Sequence, residues 1–429
     1  MNCNNCDSSD HSLRAKLALC VAIPCVAALY EPAHAQTWIG AGGNNWSTPG
    51  NWNAAVPVSG AANLSVTFGG TTGLTPNQNI ANPIVLQTVV FANTASSPFN
   101  ISGNQIRFDN LGAAPSLVNG SAANHTMSTP IDLATTTTVN TNTGNLSLTN
   151  VISGAGGVIK TGGGTLTLAM GNTYTGGTMV GAGTLQIDLG TTPGSISGDI
   201  TNNAALLFNG SFQPQTVTYN GVISGNGSLT KLGATYLILA ANNTYTGETR
   251  ISGGVLQIGL SGGTGGSVAG NITNDNGFFF IDAVGSVLGN VTNNRVFRMT
   301  GGAVAGNITN NNSFTMDGGA VAGNITNNAA LFFSRSDSYH YAGAIVGTGS
   351  LSTGGSGTIV LSGANAYTGS TTVTAGVLQF KNQVSLYNNN IASWTAGNLT
   401  VRSGAAAAVS YTHLRAHETK ANLVCRLLL

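Results

Sequence analysis

The phrase NTYTGGTMVGAGTLQI at residues 172–187 returns as NNTYTGETRISGGVLQI at 242–258 and as NAYTGSTTVTAGVLQF at 365–380. A wider window, 151–187, aligns with 222–258 at an offset of 71 and with 344–380 at a further 122, so the unit is about 37 residues long. Its matched positions keep one parity. Leu166, Leu168, Thr178, Val180, Leu185 and Ile187 become Leu237, Leu239, Thr249, Ile251, Leu256 and Ile258, then Ile359, Leu361, Thr371, Val373, Leu378 and Phe380. The positions between them drift, as Met179, Arg250 and Thr372 show. Period two with one apolar face specifies strand, one side in a core and the other in solvent.

A shorter phrase fills the gaps: GSISGDITNNAALLF from Gly194, then related copies from Gly266, Gly285, Gly302 and Gly319, the last four starting 19, 17 and 17 residues apart. A unit of that size encloses no core of its own, so neighbouring units must stack and share one. Short strands with Gly, Asn and Asp at the corners suit a coil whose bends need tight turns or positive φ. The expectation is an all-β chain, a parallel β-helix (β-solenoid), with roughly 15 coils between residues 131 and 404. A sandwich or propeller would instead need hairpin turns and antiparallel pairing. Asp199, Asn271, Asn290, Asn307 and Asn324 recur at one position of the short phrase and predict a ladder of side-chain hydrogen bonds along the stack.

Composition narrows the function. Charged residues make up 6% of the chain and the formal net charge is +1, which gives no electrostatic handle for nucleic acid. Residues 1–35 differ from the rest: Arg14 and Lys16 precede the apolar stretch 17–29, and Ala33-His34-Ala35 has the small-x-small pattern of a signal-peptidase site, so this segment reads as a signal peptide. Four of the five cysteines (Cys3, Cys6, Cys20 and Cys25) fall within it. Cys3 and Cys6 lack the second pair that a four-ligand metal site needs. Residues 36–130 are less regular and read as a β-rich cap. Trp38, Trp46 and Trp52 there offer either a sugar-stacking face or a plug for the open end of a stack.

GGGTLTLAMGNTYTGGTMVGAGTLQI resembles the autotransporter-associated β-strand repeat of bacterial type V secretion passengers, and NNWSTPGNW resembles the start of many such passengers. The resemblance implies a right-handed parallel β-helix exported through the inner membrane and carried across the outer membrane by a C-terminal β-barrel translocator. Export, the repeats and the scarcity of reactive residues together suggest a non-enzymatic, adhesin-like surface or secreted passenger that contacts host or bacterial surfaces or glycans. No run of ten-residue amphipathic strands closes the chain as such a barrel would. The segment 409–429, with His413, His417, Glu418 and Cys425, departs in composition from the body. It resembles translated sequencing-adapter read-through, and the zinc site that its His pair suggests is rejected on that ground.

The body offers little chemistry. His125 and His340 lie far apart and beside no evident nucleophile, and both read as surface or coil-end residues. Gly259-Leu260-Ser261-Gly262-Gly263 matches the nucleophile-elbow pattern only formally, without strand–turn–helix context. The alternative, a β-helical polysaccharide lyase or hydrolase, would draw on Asp275 with Asp282, or on Arg295 with Arg298, as neighbours on a coil. No catalytic, metal or cofactor residue is assigned, and specific recognition is expected in positions that vary between copies, such as Met179, Arg250 and Thr372.

Overall fold

The structure, a computed structural model, describes residues 35–189, 196–210, 215–263, 265–389 and 397–409. The leader with Cys3 and Cys6 lies outside the described residues, apart from Ala35. So does the tail with His413, His417, Glu418 and Cys425, apart from Val409.

Strand pairing is parallel throughout, from Ala35–Trp38 against Ser65–Phe68 to Val377–Phe380 against Ala406–Val409. The one antiparallel contact among the described residues is an isolated bridge between Trp38 and Trp52. Parallel strands need a crossover between them, and here the crossover is the rest of the coil. The described residues therefore form a β-solenoid, as the repeats predict.

Strands fall on three faces in rotation. One face is a nine-stranded sheet running from Ala35–Trp38 to Ile223–Ser224, its place taken later by the four strands from Ser338–Tyr341 to Ala406–Val409. The second is a continuous fifteen-stranded sheet from Asn77–Gln78 to Ala366–Tyr367. The third is a four-stranded sheet from Ile84–Leu86 to Ile152–Ser153, succeeded by a twelve-stranded one. Coil stacking is already present at Ala35–Trp38, well before the repeated phrase, and the ladder Leu117↔Val139↔Lys160 passes residue 130 without a break.

Inward positions stack in columns. Leu166, Leu185, Leu206 and Leu229 sit one above another, each at most 1% exposed. Phe279, Phe297 and Phe314 form another column, with ring centroids 4.7 and 4.5 Å apart and planes within 17° and 6°. Such pairs add about 0.5–1.5 kcal/mol each beyond area burial. Each coil thus closes the core of its neighbour, the energetic reason that no single unit stands alone.

The long phrase does not stack on itself. Leu166 meets Leu229 after three coils, 63 residues on, whereas its counterpart Leu237 lies 8 residues further, on the next face. Its first copy occupies the nine- and fifteen-stranded sheets, its second the fifteen- and twelve-stranded, its third the twelve-stranded and the final four-stranded. Successive copies are each turned by one face.

Candidate binding surface

The Asn, the Tyr and the glycine before x-L-Q in N-x-Y-T-G…G-x-L-Q satisfy buried polar groups and close contacts. Asn172, Asn243 and Asn365 are at most 1% exposed, and their Oδ1 atoms accept the N–H of Ile152, Ile223 and Ile345 at 2.9–3.0 Å. Tyr174, Tyr245 and Tyr367 are equally buried, each hydroxyl 2.5–2.6 Å from that of Thr178, Thr249 or Thr371. Burial pushes all three phenols up from their ordinary pKa. Gly183, Gly254 and Gly376 hold φ of +65°, +64° and +67°, and a Cβ on any of them would lie 2.4 Å from a carbonyl oxygen of the coil below. No side chain fits there. The phrase is a closure device, with its Asn and Tyr side chains spent on the fold.

The short phrase GNITNN carries three ladders, and the expected one has a different chemistry. Oδ1 of Asn271, Asn290, Asn307 and Asn324 accepts the backbone N–H of the next coil at 2.8 Å each, as Asp199 does from Val222. That position lies on the outside of a corner, where the neighbouring coil presents a free N–H, so the side chain caps main chain. The amide-to-amide ladder lies three residues on: Asn274, Asn293, Asn310 and Asn327, all 0% exposed, linked Nδ2 to Oδ1 at 2.9, 2.9 and 2.8 Å. A third, outer ladder runs Asn328 to Asn311 to Asn294 to Asp275 at 2.8–2.9 Å, and Arg250 pairs with Asp275 at 2.6 Å.

His125 corrects the sequence reading. It is 1% exposed and stacked on Phe91 at 4.2 Å, so it belongs to the core. Its Nδ1 accepts the Phe99 N–H at 3.0 Å, and its Nε2 lies 2.8 Å from Ser121 Oγ, a serine four residues upstream that the sequence reading missed. Because Nδ1 is the acceptor, Nε2 carries the proton and donates to Ser121, whose hydroxyl in turn donates to Asn119 Oδ1. A general base needs a free lone pair at that nitrogen, so this Ser–His contact cannot activate the serine. Burial lowers the imidazole pKa to about 4, keeping it neutral. His340, by contrast, is exposed and bonds Ser362 Oγ at 2.7 Å.

Asp275 and Asp282 are not neighbours. They bracket the strand Phe278–Ile281, Asp275 ion-paired to Arg250 and Asp282 accepting from Gln257 and Thr300. Arg298 reaches Asp317 of the following coil. At Gly259–Gly263 a turn closes with the Gly263 N–H on Leu260 O, and the strand beyond it is Ser267–Val268. A strand, not a helix, follows the formal elbow. Trp38, Trp46 and Trp52 are at most 3% exposed and pack edge-to-face at 5.2 and 5.6 Å above Phe68, so their faces are closed to a sugar.

Met179, Arg250 and Thr372 lie on three different sheets, a consequence of the one-face turn between copies. They share no surface. What does share one is a file of outward residues on the fifteen-stranded sheet: Thr273, Thr292, Thr309 and Thr326 in direct register, followed by Val346. Beside it runs the outer file Asn290, Asn307 and Asn324. Together they line a shallow trough of about 480 Å³ ending at Ala344 and Val346.

This geometry agrees with what the chain is similar to. Residues 158–187, 229–258 and 354–380 match the passenger-associated-transport-repeat family, on the three copies of the long phrase. The chain is also 34% identical over 206 residues to the adhesin BmaC autotransporter of Brucella suis biovar 1 (strain 1330). That match spans 46% of this chain and 6% of the relative, so it covers a small piece of a very long protein. No solved structure matches. The three matched copies are thus similar to passenger-associated-transport repeats, and the described solenoid resembles the passenger of an autotransporter.

Proposed function

We propose that this passenger is a non-enzymatic, adhesin-like surface, exported to the cell exterior and acting through the outward files of its stacked coils. The observation that carries the reading is the 206-residue similarity to an autotransporter adhesin, which falls on a solenoid whose consensus Asn and Tyr side chains are consumed in its own closure. The relationship implies an outer-membrane β-barrel translocator as partner in the full-length protein. The glycan-degrading alternative gains no support from Asp275 and Asp282, each engaged at its own end of a strand.

The test is binding of the purified chain to panels of cells, matrix proteins and glycans. Saturable binding to one class, with no turnover of the ligand, is expected. Absence of binding across all panels overturns the reading, and depolymerisation of a bound polysaccharide favours the enzyme.

A further inference from the structure

We infer that the trough over Asn290, Thr292, Asn307, Thr309, Asn324 and Thr326 binds a short segment of a neutral, extended 1→4-linked polysaccharide laid along the stack; this rests on the reading of the passenger as a binding surface. The first observation is concavity: these residues line one continuous trough of about 480 Å³. Hydrogen-bond accounting is the second. The Oδ1 atoms of the three asparagines are each taken by a backbone N–H of the next coil, which fixes the amide planes. Among the described residues, their Nδ2 groups and the hydroxyls of Thr292, Thr309 and Thr326 have no hydrogen-bond partner. The trough therefore presents two parallel files, one of amide donors and one of hydroxyls, each repeating once per coil at about 4.8 Å.

Both ends are defined. Thr273, one coil before Thr292, gives its hydroxyl to Glu248 Oε1 at 2.5 Å, and after Thr326 the file turns apolar at Val346. Three coils with free donors remain.

Repeat and charge select the ligand class. An extended peptide advances about 3.3 Å per residue and falls out of step with the coils at once. Nucleic acid needs cations to offset its phosphates, and no charged side chain lines the trough. A hexose in an extended 1→4 chain advances by about one coil spacing and offers hydroxyl oxygens on both edges, so three sugars meet three coils in phase. The amide donors suit ring and hydroxyl oxygens, and the threonines can donate or accept.

The experiment is calorimetric titration of the full chain with cello- and chito-oligosaccharides of two to six units, and with oligogalacturonate as the charged counterpart. Affinity should rise with length to three or four units and then level off, with oligogalacturonate at least tenfold weaker. Asn307→Asp keeps the capping oxygen but replaces the donor with a carboxylate. Asp199 already fills this role, accepting the Val222 N–H at 2.8 Å, so the fold should hold. The triple variant Thr292→Val, Thr309→Val, Thr326→Val removes the hydroxyl file with a residue the file already uses at Val346. Each should weaken neutral-oligosaccharide binding at least fivefold with an unchanged thermal melt. No binding of any neutral oligomer, or equal binding by both variants, overturns the inference. If neither variant loses oligosaccharide affinity while the parent chain binds cells or matrix, the adhesin reading survives and the trough alone is wrong; if nothing is bound by the parent chain, both fall.

Discussion

Tyr174 and Thr178, four residues apart in the chain, share a hydroxyl–hydroxyl hydrogen bond of 2.6 Å inside the core. The same bond recurs between Tyr245 and Thr249 and between Tyr367 and Thr371, although the three copies lie on different faces. It is a property of the phrase, independent of the sheet on which the phrase lies.

Its removal should be asymmetric. Tyr245→Phe leaves the Thr249 hydroxyl buried and unpaired, at a cost of about 1–3 kcal/mol, whereas Tyr245→Phe with Thr249→Val removes both partners and should recover much of that. Native-state hydrogen exchange of the coil containing Thr249–Ile251 reads the effect locally, which suits a molecule whose units open separately. A double variant as unstable as the sum of the two single ones would show that the hydroxyls do not interact.

The buried and outer amide ladders should differ sharply. Asn310→Leu breaks two amide–amide bonds and leaves the Ala330 carbonyl without its side-chain donor, a loss of about 3 kcal/mol shared by the coils above and below. Asn328→Ala removes one exposed rung and should cost less than about 0.5 kcal/mol. Chemical denaturation of the two variants compares them directly; equal losses would mean that burial does not set the value of a rung.

What alternation alone can specify was legible: every matched apolar position of the first copy from Leu166 to Ile187 is buried, and Met179 between them is 40% exposed. The same rule, applied further, places Asn274 inward, since it shares parity with Ile272. Asn271, taken for the amide ladder on the strength of its recurrence, has the opposite parity and caps backbone. Face assignment is another matter. It depends on the lengths of coils whose corners carry no pattern, and an excess of 8 residues over three coils turned the second copy onto a new sheet. His125 was misplaced because one histidine in a polar stretch has no periodic signal; its parity with Met127, which is buried, was the available clue.

His125 should make the fold acid-sensitive. Its folded pKa of about 4 lies below the ordinary 6.5, so the unfolded chain takes up a proton that the folded chain refuses. The stability it contributes is complete above pH 6.5 and is lost as pH falls through that window, reaching on the order of 3 kcal/mol by pH 4. The unfolding free energy measured from pH 7 to pH 4 should fall more steeply for the parent chain than for His125→Leu, which is less stable at neutral pH but lacks this proton. Parallel slopes would place the imidazole in solvent.

Lys160 and Lys231, both 0% exposed, have no carboxylate partner among the described residues; instead each Nζ donates to three backbone carbonyls. For Lys160 these are Thr161, Gly162 and Ala182 at 2.8–3.0 Å, and for Lys231 they are Leu232, Gly233 and Gly253 at 2.9–3.4 Å. The third copy has Thr353 at this position, with a buried hydroxyl that finds no partner. Lys231→Met keeps the packed stem but strips the donor from three carbonyls, and should cost about 2 kcal/mol locally. Burial lowers both ammonium pKa values to about 8 from 10.5. Between those values the unfolded chain holds protons that the folded chain has released, so the lysines make stability rise with pH. The difference in melting temperature between the parent chain and Lys160→Met with Lys231→Met should widen from pH 7.5 to pH 9.5. Tyrosine ionisation is common to both proteins and cancels in that difference. A gap that stays constant would mean that the three carbonyls hold the ammonium charged through the whole window and outweigh the cost of burial.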